Sequence, residues 1–120
     1  MSPNTVAPLL LVLTAVGASA VWVATAETAP AATSLICRVT SSARDARRVR
    51  IEAFSAEGSP IFDTGRFALA PDAVFQSGVG AARACRFELE DGRDLRAEAL
   101  VFDPRKERFT PIPARRARGR

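Results

Sequence analysis

Arg48-Val49-Arg50-Ile51-Glu52-Ala53-Phe54 is the stretch that decides the fold. Val49, Ile51 and Ala53 alternate with Arg48, Arg50, Glu52 and Phe54. A period of two puts one set on a buried face and the other on a solvated face, which is the signature of a half-buried β-strand and not of a helix. The same alternation returns in Arg83-Ala84-Cys85-Arg86-Phe87-Glu88-Leu89-Glu90, with Cys85, Phe87 and Leu89 inward. Leu35-Ile36-Cys37-Arg38-Val39-Thr40 repeats it with Leu35, Cys37 and Val39 inward.

Working outward, Ser41 to Arg47 is polar and reads as a turn or long hairpin loop. Ala56-Glu57-Gly58-Ser59-Pro60 is a turn signal, followed by short strands at Ile61–Thr64, Arg66–Leu69 and Ala73–Gln76. Gly78-Val79-Gly80 reads as a flexible turn. Asp91-Gly92 is a strong hairpin dipeptide, so Leu95 to Phe102 returns as the last strand even though its residues also suit a helix. Short strands at this spacing predict an all-β fold, a small antiparallel β-sandwich over residues 35–103.

The flanks differ from this body. Residues 1–26 carry no charged side chain, and Val6 to Ala26 is 21 residues around the apolar run Leu9-Leu10-Leu11-Val12-Leu13. This segment predicts an N-terminal hydrophobic helix that acts as a signal peptide. Ala24-Thr25-Ala26 and Ala18-Ser19-Ala20 both present the small-x-small pattern of a cleavage site, with Ala26 preferred and Ala20 second. An uncleaved membrane anchor is the alternative, because about 20 apolar residues span a bilayer and Trp22 suits an interface. Either outcome places the rest outside the cytoplasm, in the periplasm or secreted. Residues 27–34 read as a Pro/Ala/Thr linker.

At the other end, residues 104–120 hold six Arg, one Lys and one Glu, whereas residues 27–103 hold ten Arg and twelve acids. The net charge of +4 is therefore a basic tail on a nearly neutral body. Pro104, Pro111 and Pro113 and the crowding of cations predict a disordered tail. Arg105, Lys106, Arg108, Arg115, Arg116, Arg118 and Arg120 are its candidate contacts to a polyanion such as a phospholipid surface. Nucleic acid as the partner would require a cytoplasmic chain.

Two Cys and no His bound the chemistry. No Ser-His or Cys-His catalysis and no four-ligand zinc site of N and S donors can be built. In an exported chain the only two cysteines, Cys37 and Cys85, are expected to pair, since both fall on inward strand faces. Glu88 and Glu90 share a strand face near Asp91 and Asp94, the one arrangement that hints at a carboxylate hydrolase or a calcium site. Lys106 is the only lysine, so a Ser-Lys dyad would have to use it. The expectation is a non-catalytic module with no cofactor or metal, whose partner is a protein or an anionic envelope component.

Cys37, Val49, Ile51, Phe54, Gly58, Leu69, Pro71, Cys85 and Phe87, in that order behind an apolar leader, resemble the small exported two-cysteine β-sandwich proteins of bacteria, a group of unknown function. The resemblance covers residues 35–102 and implies an Ig-like sandwich in an exported location, without an active site. The single Trp, Trp22, lies outside the cysteine pair and there is no Tyr, so two hallmarks of antibody domains are missing.

Overall fold

The structure is a computed structural model that describes residues 20–26 and 34–117. These form ten strands: β1 Ala20–Thr25, β2 Leu35–Ser41, β3 Arg47–Phe54, β4 Pro60–Asp63, β5 Phe67–Leu69, β6 Val74–Val79, β7 Ala84–Leu89, β8 Leu95–Asp103, β9 Arg108–Pro113 and β10 Arg115–Arg116. They make two antiparallel sheets. The first runs β10-β1-β7-β3-β4, with β5 also on β3, and the second runs β6-β2-β8-β9.

Alternation does what it predicted for the central strands. Leu35, Cys37 and Val39 of β2, Val49, Ile51 and Ala53 of β3, and Cys85, Phe87 and Leu89 of β7 all point into one core and are essentially inaccessible. Their neighbours in sequence face solvent, which is how two sheets share a single apolar interior. Cys37 and Cys85 are bonded across it, with Cα atoms 5.8 Å apart, joining β2 of the second sheet to β7 of the first.

Five local expectations are corrected. The helix expected over 1–26 falls partly on residues 1–19, which lie outside the described residues. Ala20–Thr25, which is described, is a strand instead. Val21, Trp22, Val23 and Thr25 are β-branched or aromatic and favour an extended chain. That chain pairs along its length with β7, from Ala20↔Leu89 to Thr25↔Ala84. Ala24 and Ala26 are buried in the core.

The tail is likewise structured through Arg116. β9 pairs with β8 from Asp103↔Arg108 to Glu98↔Pro113, and β10 pairs with β1. Pro111 and Pro113 are tolerated because β9 is an edge strand. Arg118 and Arg120 lie outside the described residues.

Asp91-Gly92 does not close a hairpin. β1 and β3 occupy both edges of β7, so the chain crosses to the second sheet, where β8 pairs with β2. The polar stretch before Arg47 is also a crossover, from β2 to β3, and not a hairpin. Lastly, Gly78 and Val79 belong to β6 rather than to a turn, paired with Ile36 and Leu35.

Candidate functional site

The outer faces of the two sheets differ in kind. On the first sheet, opposite charges stand across from each other: Arg50 faces Glu88 and Glu52 faces Arg86. Arg86 bonds both Glu52 and Glu88, and Arg50 forms a two-pronged pair with Asp63 at 3.1 and 2.7 Å. Arg66 adds a contact to Glu88 at 3.6 Å. Cross-strand pairs of this sort satisfy one another and leave little field for a ligand. The hydrogen bonds from Arg50, and then one from the Gly65 N–H, hold the Asp63 carboxyl at about 2. The same bond to Asp63 raises Arg50 above its ordinary value.

This network also accounts for the acidic candidates. Glu88 is enclosed by Arg50, Arg66 and Arg86. Glu90 accepts the Arg48 backbone N–H. Asp91 and Asp94 lie at the β7–β8 crossover beside Arg47, at 3.5 and 4.0 Å. Arg47 also donates to the Arg93 carbonyl at 2.9 Å, so its role is to fasten this crossover. A hydrogen bond from the Arg93 backbone N–H lowers the Asp91 pKa, and the side-chain bond to Asp45 raises that of Arg47. Glu88, Asp91 and Asp94 thus meet arginine side chains on neighbouring elements, and Glu90 meets a backbone N–H. Among the described residues no group of three or more His, Cys, Asp and Glu is placed to hold a metal ion.

The second sheet carries a different surface. β2 sends Ile36, Arg38 and Thr40 outward, since Leu35, Cys37 and Val39 are inward. Register then places Leu100 and Pro111 beside Ile36, with Phe102 opposite Phe109 at the next outward position. The two rings meet edge to face at 5.3 Å, and both remain exposed, at 39% and 46%. Beyond them Pro104–Glu107 turns the chain, bearing Arg105 and Lys106, and Arg108 opens β9. At the other end of this face Arg38 grips Glu98 through both Nε and Nη2. That pair lines a cleft of about 340 Å³ with Thr40, Asp94 and Arg96.

The candidate polyanion contacts are thus divided. Arg105, Lys106 and Arg108 gather at the β8–β9 turn, whereas Arg115 and Arg116 sit on the edge of the first sheet beside Val23 and Trp22. Six extended residues between Arg108 and Pro113 separate the groups by roughly 20 Å of chain. Lys106 is exposed at the turn. Sequence reasoning overlooked Phe102 and Phe109. The available signal was Asp103-Pro104, a turn-opening pair between two aromatic residues that can then stand opposite each other.

Family models, curated proteins and solved structures were all compared with this chain, and none matches.

Proposed function

We propose that this chain is an exported, non-catalytic β-sandwich module of the bacterial cell envelope. The observation that carries this reading is the Cys37–Cys85 bond. It uses the only two cysteines and is buried in the core, and such bonds persist in oxidising compartments. The Ig-like label is the finer form of the same reading, supported by a disulfide that joins central strands of opposite sheets. It agrees with the resemblance to small exported two-cysteine proteins. Binding is favoured over hydrolysis because Glu88, Asp91 and Asp94 are engaged by arginines.

The partner in this reading is an anionic envelope surface, met by the outer face of the second sheet at the β8–β9 turn. Exposed aromatic rings beside cations suit the boundary of an anionic bilayer, where the rings settle at headgroup depth and Arg and Lys meet phosphate. Phe102 and Phe109 supply the rings, and Arg105, Lys106 and Arg108 the charge.

Fractionation of cells expressing the full chain, with alkylation of free thiols at lysis, tests the export reading. Protein in the envelope fraction with both thiols protected is expected; reduced protein in the cytosol would overturn it. For the partner, the purified chain is sedimented with vesicles of phosphatidylglycerol and, separately, of phosphatidylcholine. Retention on the anionic vesicles alone, abolished by Phe102→Ser with Phe109→Ser, is the expected outcome. Equal loss from both vesicle types would remove the anionic surface from the proposal.

A further inference from the structure

We infer that the leader is removed after Ala20, by hydrolysis of the Ala20–Val21 peptide bond, and that the segment Val21–Ala26 stays on as an indispensable strand of the mature protein. The inference rests on the export reading, but concerns a different property, the position of the cut.

The sequence offers two cleavage motifs, Ala18-Ser19-Ala20 and Ala24-Thr25-Ala26, and by itself prefers the second. The structure reverses that preference. Cleavage after Ala26 would discard β1, which is hydrogen-bonded on both edges, to β7 and to β10. It would strip Ala24, Ala26 and the half-buried Trp22 from the core, and leave β7 with an open edge over Ala84–Leu89. β10 would lose its partner strand as well. The Ala26 backbone is fastened in its own right: its N–H donates to the Arg83 carbonyl at 2.8 Å, and its carbonyl accepts from Arg83 Nη1 at 2.8 Å.

Cleavage after Ala20 takes from β1 only its first residue and leaves Val21–Thr25 paired with β7. It leaves Val6–Gly17, 12 residues, as the apolar stretch ahead of the small residues, within the roughly 7–15 usual for a leader. A stretch running through Ala26 exceeds that length, because its last third is a strand in its own right. The membrane-anchor alternative meets the same objection, since Trp22, Val23 and Ala24 cannot lie in a bilayer while paired with Phe87, Arg86 and Cys85. In the reaction water adds hydroxyl to the Ala20 carbonyl carbon and hydrogen to the Val21 nitrogen as the C–N bond breaks, with no change of oxidation state. A leader peptidase of the exporting membrane supplies the catalyst. The products are the leader, residues 1–20, and a mature chain of residues 21–120.

One property of the chain makes the test direct. Trp22 is the only Trp and there is no Tyr, so a chain cut after Ala26 has neither chromophore. The full chain is expressed in a bacterium that exports it, recovered from the envelope fraction, and read by intact mass, N-terminal sequencing and tryptophan emission. The expected mature form begins at Val21 and fluoresces. A form beginning at Glu27 with no tryptophan emission overturns the inference and leaves the export reading standing. An unprocessed chain in the membrane overturns it too, and an unprocessed, reduced chain in the cytosol overturns both. Ala18→Phe is expected to accumulate the precursor; continued processing to the Val21 form in that variant would overturn the assigned motif.

Discussion

The indole of Trp22 lies against Gly92 so closely that a Cβ on Gly92 would stand 3.1 Å from Trp22 Cζ2. This contact joins β1 to the crossover between β7 and β8, so that strand and that connection support each other. Two effects compete at Gly92→Ala. Alanine restricts the unfolded chain and would stabilise by about 0.4–1 kcal/mol where it fits. Overpacking against a ring costs about 1–3 kcal/mol. The variant is expected to lose about 1 kcal/mol in urea denaturation, and the loss should disappear in a Trp22→Val background, since coupling between touching residues is what a double-mutant cycle isolates. An equal cost in both backgrounds would place the effect in the Gly92 backbone and remove the contact from the account.

Truncation after Asp103 bears on the C-terminal strands. A structureless tail would leave stability nearly unchanged. Here the deletion removes β9 from the edge of β8, uncovers Leu100 and takes the half-buried Ile112 out of the core, while β1 loses β10. The truncated chain is therefore expected to melt well below the full one, by about 4–8 °C for each kcal/mol lost. Coincident melting curves would show that β9 and β10 add nothing to the fold.

The strands that could be read in advance are those whose two faces differ chemically. β2, β3 and β7 each bury every second residue, so alternation alone assigned their inward sets, and with them the cysteine pair. β1 was hidden because Val, Trp and Ala serve a leader and a strand equally well. β9 was hidden for the opposite reason: apart from Ile112 it is exposed, so no alternation marks it, and its prolines and arginines dominate the reading. Asp91-Gly92 reads as a hairpin because the dipeptide suits a tight turn, and nothing in it reveals that β1 and β3 already occupy both edges of β7. The acidic candidates were visible as residues, but their arginine partners were not. Glu88 meets Arg50 and Arg66 only through strand pairing, which sequence spacing does not contain.

Asp63 provides a test in acid. Its carboxyl is held at about 2 in the folded chain, against an ordinary 3.8, chiefly by the hydrogen bonds from Arg50. A depressed folded value favours the native state while the carboxyl is ionised in both states. That contribution is whole above the ordinary value and is lost as pH falls through about 2. Asp63→Asn is expected to flatten the acid limb of the stability profile in that window, modestly, because the site is open to solvent and screened by salt. Denaturation midpoints across the acid range give the comparison. Parallel acid limbs for the two proteins would show that the Arg50–Asp63 pair does not contribute.

Cys37 and Cys85 carry the largest single expectation. They lie 48 positions apart in the chain and are both fully buried, at the centre of the contact between the sheets. A link of that span removes many conformations from the unfolded chain, worth about 4 kcal/mol in the chain-entropy model. A small sandwich has few other reserves, since a domain of this size is typically stable by only about 5–15 kcal/mol. Replacing both with Ala also deletes two buried sulfurs, and the neighbouring strands can close that space only in part. The double variant is therefore expected to lose about 2–5 kcal/mol. Chemical reduction of the unaltered chain should approach the same loss without the packing defect, so the difference between the two separates cross-link from cavity. The measurement is a pair of denaturation curves, oxidised and reduced, beside that of the double Ala variant. If reduction leaves the midpoint where it was, the bond is not what holds β2 to β7, and the packing of Phe87, Leu35 and Ile51 must hold the sheets together unaided.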